Sequence, residues 1–258
     1  MNKVQSSRTK RVLKHRGHLL VGYLLAGYPS REGFLNALSS IVNTGVDIVE
    51  IGFPSRNPVN DGEAIQEAHM QVDMSILDDL AYWQKIRQTV DVPLWIMGYN
   101  EELVDNPRYL QLAKSGSADG FVLPALSNAG RQQLNEELAK EGCDVLGFVN
   151  AQMPIDVIHA VFSKHSIVYL QLYVGKTGTK VIHDDFEDIL KLAQDFPNVS
   201  VFAGFGIDTR ERVQYLLHKG FDGVIVGTAF IKKQNESLDA LVRYAKHLKL
   251  GAFQERTQ

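Results

Sequence analysis

Short apolar runs alternate with amphipathic segments along most of this chain. The short runs favour buried β-strands, and the segments between them repeat apolar residues with the spacing typical of helices. Strands are predicted at residues 19–25, 47–51, 93–97, 120–123, 144–149, 167–172, 199–203 and 223–226. Helices between them are predicted at residues 31–43, 78–89, 107–115, 129–141, 154–163, 184–195 and 209–219, with two more at 5–15 and 237–248.

This alternation predicts a parallel α/β protein, in which each strand is followed by a helix. Eight such units in 258 residues suit a closed barrel better than an open doubly wound sheet, which is the alternative architecture. We therefore predict a single (β/α)8 TIM barrel, one domain over residues 1–258, with an extra N-terminal helix. In such a barrel the active site is expected at the loops that follow the strands.

The composition is that of an ordinary globular protein, with 45% hydrophobic and 22% charged residues. A formal net charge of -3 provides no broad attraction for nucleic acid or anionic lipid. No apolar run approaches the roughly 20 residues that span a bilayer, and the basic segment at residues 3–18 has no interleaved aromatic residues. These features predict a cytoplasmic protein with neither nucleic acid nor a membrane among its partners.

Cysteine and histidine provide no pattern typical of a metal site. The single cysteine, Cys143, opens a predicted strand and is interpreted as a buried structural thiol. The histidines lack metal-ligand spacing, so we interpret them as surface or helix-side residues and predict no metal. The histidines weighed in this way are His69, His159, His165 and His183.

The segment at residues 47–66, DIVEIGFPSRNPVNDGEAIQ, contains the strongest catalytic candidates. Glu50 lies near the carboxyl end of a predicted strand, where an unpaired charge is costly. Asp61 follows eleven residues later, in a loop that can fold back toward Glu50. Two carboxylates that differ in burial are suited to divide proton transfer and charge stabilisation. A salt bridge for Glu50 and a turn or helix cap for Asp61 are the structural alternatives.

Glycine-rich segments follow three of the later predicted strands. They are GKTG at 175–178, AGFGI at 203–207 and VGTAF at 226–230, where Thr228 opens a short predicted helix. Uncovered backbone N–H groups and a helix N-terminus together favour an anion, so these loops predict a phosphate site. Tight turns are the alternative explanation for the glycines.

These motifs together carry a resemblance to a known family. The chain resembles the alpha subunit of tryptophan synthase, which cleaves indole-3-glycerol phosphate into indole and glyceraldehyde 3-phosphate without a cofactor. The resemblance extends over about residues 20–232. It rests on AGYP at 26–29, GVDIVEIGFP at 45–54, NPVNDGEAIQ at 57–66, ADGFVLP at 118–124, the Thr-Gly pair at 177–178, GFGI at 204–207 and DGVIVGTA at 222–229.

The resemblance implies a role for individual residues of this chain. Glu50 is expected to shuttle protons between the indole ring carbon and the glycerol hydroxyl, and Asp61 to hold the indole N–H. Thr177 is expected to position Asp61, while Tyr23 and Gln171 are expected to contact the substrate. The implied phosphate-binding residues are Gly178, Gly204, Phe205, Gly206, Gly227 and Thr228, with no cofactor and no metal.

Several positions depart from the family pattern. Arg56 and Asn57 replace residues of the loop that faces the beta subunit in the family, so we expect weak or absent association with that partner. Gly98 stands where a tyrosine is usual, Gln171 replaces an active-site tyrosine, and Ala125 replaces an acidic residue. A stand-alone lyase, a lyase or isomerase for a different phosphorylated substrate, and a non-catalytic phosphate-binding subunit therefore remain open alternatives.

Overall fold

The computed structural model describes residues 3–172 and 186–252. The predicted contributions of Thr177 and Gly178, and that of His183, lie outside these residues. Within them the chain forms parallel strands alternating with helices. The strands are Leu19–Leu25 (β1), Ile48–Gly52 (β2), Leu94–Met97 (β3), Gly120–Val122 (β4), Asp144–Val145 (β5), Gly147–Asn150 (β6), Ile167–Gln171 (β7), Ser200–Gly204 (β8) and Gly223–Val226 (β9).

The sheet is a nearly closed barrel in which the strands pair in the order β5-β4-β3-β2-β1-β9-β8-β7-β6. The fold prediction is therefore confirmed, but the single strand predicted at 144–149 is wrong, because it is divided at Leu146. Its first part pairs with β4 and its second part with β7. The Leu146 N–H still donates to the carbonyl of Phe121 on β4, at 2.9 Å. One predicted strand thus joins the two edges of the barrel.

Helices surround the barrel and largely follow the prediction. They are Ser7–Val12 (α1), Arg31–Asn43 (α2), Glu63–Gln71 (α3), Leu80–Thr89 (α4), Arg108–Lys114 (α5), Asn128–Leu138 (α6), Ile155–Lys164 (α7), Glu187–Ala193 (α8), Arg210–Lys219 (α9), Thr228–Glu236 (α10) and Leu238–Ala252 (α11). Helix α3 was not among the helices predicted from the pattern. A short 3-10 helix, Met74–Asp78, and a π-helical turn, Asn100–Val104, also lie in predicted loops.

Strand alternation divides the apolar side chains between two layers. One side of each strand faces the helices, and the other faces the barrel interior. Trp95 and Phe202 meet edge to face in the interior, with 5.0 Å between their ring centroids. Each large side chain buried there contributes about 1.5–3 kcal/mol. The interior cluster comprises Leu19, Val21, Ile48, Trp95, Val122, Leu146, Phe148, Ile167, Tyr169, Phe202 and Ile225.

The segment that leads into helix α1 closes the amino-terminal end of the barrel. The backbone N–H groups of Gln5 and Ser6 donate to the carboxylate of Asp144, and the Ser6 hydroxyl donates to Asp119. Arg87 pairs with the other oxygen of Asp119 at 2.7 Å. Because these polar contacts lie where strands β4 and β5 begin, the opposite end of the barrel is left for the loops that follow the strands.

Two class predictions can be compared with the described residues. Cys143 is buried immediately before β5, as expected of a structural thiol. In the part of the chain that the structure describes, no helix is long and apolar enough to cross a bilayer.

Candidate active site

Two adjoining cavities lie at the carboxyl ends of the strands, and Asp61, Met97 and Phe205 line both of them. The inner cavity also contains Glu50, Tyr23 and the ends of β8 and β9. The outer cavity has a volume of about 450 Å³ and lies over the ends of β3, β4, β6 and β7. A ring and a phosphorylated chain attached to it could therefore occupy neighbouring spaces with Asp61 between them.

Glu50 is held inside the barrel by strand alternation. It occupies the centre of β2, and its side chain faces the interior because Ile48, two residues earlier, does so. The residue is only 3% exposed, and its Oε1 has no hydrogen-bond partner among the described residues. Burial, together with the nearby charge of Asp61, raises the pKa of Glu50 to about 8. At neutral pH Glu50 is therefore mostly a protonated acid.

Asp61 is placed by the loop between β2 and α3. Its backbone N–H donates to the carbonyl of Pro58 at 3.1 Å, and the Gln66 amide donates to the carbonyls of both Pro58 and Asp61. Burial raises the pKa of the Asp61 carboxyl to about 6, although the hydroxyl of Tyr99 opposes the rise by donating to it. Asp61 is therefore ionised at neutral pH while Glu50 is protonated.

Tyr99 is a site residue that the sequence interpretation missed. Gly98 has no side chain to offer the site, and the next residue, Tyr99, supplies a hydroxyl to it. Tyr99 Oη donates to Asp61 Oδ2 at 2.7 Å and accepts from the backbone N–H of Asn60 at 3.2 Å. A side chain added at Gly98 would lie 2.7 Å from Leu103, so the chain packs closely there.

Of the predicted phosphate-binding residues that the structure describes, all five lie at the ends of β8 and β9, and four of them line the inner cavity. Phe205 and Gly206 both have positive φ, 73° and 70°, which makes a sharp turn into the inner cavity. Gly227 and Thr228 line the same cavity, at the N-terminus of α10. Thr228 Oγ1 has no hydrogen-bond partner among the described residues. Gly204 does not line the cavity, because the hydroxyl of Tyr169 lies 2.1 Å from where its Cβ would be.

Tyr23 and Gln171 lie at opposite sides of the candidate site. Tyr23 lines the inner cavity, and its buried hydroxyl has no hydrogen-bond partner among the described residues. Burial and the charges of Asp61 and Glu50 raise the pKa of Tyr23, so it remains a neutral phenol. Gln171 lines the outer cavity beside Asn150, its register partner on β6. A polar pair therefore forms part of the outer wall.

Comparison with known proteins decides the family. A family model described as tryptophan synthase alpha chain matches residues 10–256. The chain belongs to the tryptophan synthase alpha chain family. A tryptophan synthase alpha chain from Methanosarcina acetivorans is 30% identical over 247 residues, covering 90% of this chain and 89% of that protein. The predicted resemblance is confirmed.

Solved structures agree with the barrel architecture of this family member. A structure of Mycobacterium tuberculosis tryptophan synthase has a TM-score of 0.84 at 24% identity and covers 97% of this chain and 100% of that chain. A structure of the tryptophan synthase complex from Pyrococcus furiosus has a TM-score of 0.79 at 26% identity and covers 91% of this chain and 98% of that chain. Both similarities extend over nearly the whole barrel.

Two histidines of this protein are more buried than the sequence predicted. His69 and His165 are buried, so neither is a surface residue, although His69 does lie on a helix. His165 Nδ1 contacts the carbonyl of Val145 at 2.9 Å. His69 lies on α3 and faces Asp61, which sequence spacing did not reveal because α3 was not predicted. Among the described residues no cluster of three potential metal ligands is present.

In this protein the loop after β2 is hydrogen-bonded to the loop after β3. The Ser55 hydroxyl and the Arg56 N–H both donate to Glu102 Oε1, at 3.0 and 2.8 Å. Ser55 and Glu102 are buried, whereas Arg56 and Asn57 are exposed. The loop therefore has an inner anchor and an outer surface that is open to solvent or to another protein.

Proposed function

We propose that this protein cleaves indole-3-glycerol phosphate into indole and glyceraldehyde 3-phosphate. Membership of the tryptophan synthase alpha chain family supports the activity. The single observation that carries the proposal is the pairing of Glu50 and Asp61 in one cavity with pKa values of about 8 and 6. Two carboxyl groups whose pKa values are separated by their surroundings are suited to different tasks at one pH.

Glu50 is assigned the acid/base role in this reaction. Its carboxyl group gives a proton to the indole ring carbon that carries the glycerol chain. The bond between that carbon and the hydroxyl-bearing carbon of the chain then breaks, and its electron pair returns to the ring. The resulting Glu50 carboxylate accepts the hydroxyl proton as the aldehyde forms. The proton taken up equals the proton released, so Glu50 returns to its starting state.

Asp61 is assigned the electrostatic role. Protonation of the ring carbon leaves positive charge that is shared with the ring N–H, and a nearby carboxylate stabilises that charge most effectively in a site shielded from water. Asp61 is 2% exposed and is ionised at neutral pH. Its place on the wall between both cavities fits a ring in the outer cavity and a glycerol chain in the inner one.

The phosphate is assigned to the turn after β8 and the N-terminus of α10. The first N–H groups of a helix have no partner within it, and the helix dipole favours an anion there. Gly227 has room for a close approach, since the nearest atom to an added Cβ is 4.0 Å away. Gly206 and the Thr228 hydroxyl complete the described part of the site, while Gly204 is better explained as space for Tyr169.

The test is single-turnover indole release by wild type and by Glu50→Gln. We expect the variant to lose at least about a hundredfold in rate, the scale for removal of a general acid/base, with substrate affinity largely retained. Glu63→Gln is the matched control, because Glu63 is exposed on the first turn of α3. Near-normal turnover by Glu50→Gln would exclude the assigned role.

One observation favours a second candidate substrate. Asn150 and Gln171 place two side-chain amides on the wall of the outer cavity, where the carbocyclic ring of plain indole offers no hydrogen bond; Asn150 Oδ1 already accepts from the backbone N–H of Gln152. An indolylglycerol phosphate with a hydroxyl on its carbocyclic ring would satisfy such groups. The reaction and the roles of Glu50 and Asp61 would be the same. Comparing kcat/KM for plain and hydroxylated substrates in wild type and Gln171→Leu decides between them.

Association with a beta subunit belongs to the proposal as well. The solved structure from Pyrococcus furiosus is that of a tryptophan synthase α2β2 complex whose subunits activate each other. In this protein the exposed part of the loop after β2 carries Arg56 and Asn57, and charge at such a rim mainly sets encounter rate and partner choice. We therefore expect weak or absent association with a conventional beta subunit.

A further inference from the structure

His69 occupies a fixed orientation beside the candidate site. It is 4% exposed and lies on α3, two turns after Asp61. The backbone N–H of Ser55 donates to His69 Nδ1 at 3.0 Å. A ring nitrogen that accepts a hydrogen bond carries no proton, so the neutral ring has its proton on Nε2.

The Nε2–H of His69 faces the carboxylate of Asp61. Nε2 lies 3.7 Å from Asp61 Oδ2, and both side chains are nearly inaccessible to solvent. The same oxygen accepts the hydroxyl hydrogen of Tyr99 at 2.7 Å. At 3.7 Å the imidazole contact is longer than a hydrogen bond, but hydrogen bonds of a catalytic site often shorten only when the substrate is bound.

The imidazole acts as a dipole and not as a charge. Burial lowers the pKa of His69 to about 4, below the value of about 6 for Asp61. His69 is therefore already neutral over the whole pH range in which Asp61 loses its proton. Among the described residues, the other titratable groups that face Asp61 are Glu50, Tyr23 and Tyr99. Of these, Tyr99 is the one that the structure shows donating to the carboxylate.

We propose that His69 is a positioning residue, which directs a neutral Nε2–H at Asp61 Oδ2 and so keeps the other carboxylate oxygen available for the substrate. The proposal rests on the function assigned to Asp61 above. Tyr99 hydrogen-bonds the carboxylate from the loop after β3, and His69 faces the same oxygen from α3, so two separate elements approach it. The substrate ring N–H then meets a carboxylate that is already oriented.

The orientation of the imidazole depends in turn on the loop after β2. Ser55, whose N–H binds His69, is held on its other side by Glu102 through its hydroxyl. The π-helical turn that carries Glu102 follows directly after Tyr99. Tyr99 and His69, the two side chains that face Asp61 Oδ2, are thus connected through Ser55 and Glu102, and a shift of the loop would move both of them.

The experiment compares His69→Leu with His69→Gln. Leucine removes both ring nitrogens, whereas glutamine retains an N–H donor at a similar distance from the backbone. We expect His69→Leu to lower kcat by about ten- to a hundredfold, the scale for a misplaced catalytic group, with little change in KM. Its acidic limb in the pH profile should move to higher pH, because a lost donor no longer stabilises the ionised carboxylate. His69→Gln should recover most of both losses.

Either of two results from the variants would overturn the proposal. One is an acidic limb in folded His69→Leu that coincides with that of wild type, and the other is an equal loss of kcat in both variants. A measurement on the wild-type protein needs neither activity nor a folded variant. Nitrogen-15 NMR should show His69 neutral and protonated on Nε2 at pH 6 to 8. A ring protonated on Nδ1 would refute the proposal even if the protein proved to act on another substrate.

Discussion

Replacing Glu50 by glutamine should stabilise the folded protein at alkaline pH, in addition to removing its activity. The folded-state pKa of Glu50 is raised from 4.5 to about 8, chiefly by burial. A carboxyl group with a raised pKa binds its proton more tightly in the folded state than in the unfolded state. The contribution of Glu50 to the free energy of unfolding is therefore most favourable below pH 4.5, and it falls as the pH rises to about 8.

The size of this effect follows from the same pKa values. Each pKa unit corresponds to about 1.4 kcal/mol, so the full difference for Glu50 amounts to roughly 5 kcal/mol. Glutamine has the same shape without a titrating proton, so the variant does not lose this free energy of unfolding as the pH rises. We expect Glu50→Gln to exceed wild type in free energy of unfolding by several kcal/mol at pH 8, with a much smaller difference at pH 5.

Urea unfolding of wild type and Glu50→Gln at both pH values measures the effect. Glu63→Gln is the control, since it makes the same chemical change at an exposed position that lines neither cavity. The reasoning fails if the difference between wild type and Glu50→Gln is the same at pH 5 and pH 8. In that case Glu50 ionises in the folded protein as readily as in the unfolded chain, and its assignment as an acid at neutral pH fails with it.

Three further predictions concern the pH profile, the phosphate and the partner. The plot of kcat/KM against pH should be bell-shaped, with limbs near the pKa values of about 6 for Asp61 and about 8 for Glu50, because Asp61 must be ionised and Glu50 protonated. A value of kcat/KM that does not change between pH 5 and pH 9 would contradict both roles. Gly206→Asp should weaken glycerol phosphate binding by calorimetry far more than the uncharged Gly206→Asn, since asparagine and aspartate tolerate the positive φ of 70° equally well; equal affinities would place the phosphate elsewhere. Mixing with a conventional tryptophan synthase beta subunit should give little co-sedimentation and little stimulation of indole release, whereas a tight complex with tens-fold activation would overturn the inference from Arg56 and Asn57.

Features set by local periodicity were predictable from the sequence. The bounds of β1 and β9 match their predicted ranges, because each is an apolar run that ends in a clear break. The inward direction of Glu50 follows from the alternation of β2 alone. The division of the strand at 144–149 was not predictable, since the apolar pattern continues through Leu146 while the pairing changes from β4 to β7.

The missed parts of the candidate site depend on contacts between distant segments. Helix α3 begins after a loop rich in Pro, Asn and Gly, and only Ile65, Ala68 and His69 are buried in it, so its periodic signal is weak. Without α3 there was no reason to place His69 beside Asp61. Tyr99 lies in the loop after β3, and its hydroxyl reaches Asp61 only because the loop after β2 folds back over the barrel. Contacts of this kind are fixed by the tertiary arrangement and not by local pattern.

Product analysis of the wild-type protein tests the central claim most directly. The purified protein is incubated with indole-3-glycerol phosphate, and indole and glyceraldehyde 3-phosphate are quantified separately over time. The account predicts that both products appear in equal amounts at pH 7, with no added metal or cofactor. Failure to form either product, with and without a beta subunit, would contradict the assignment of this protein as an indole-3-glycerol phosphate lyase.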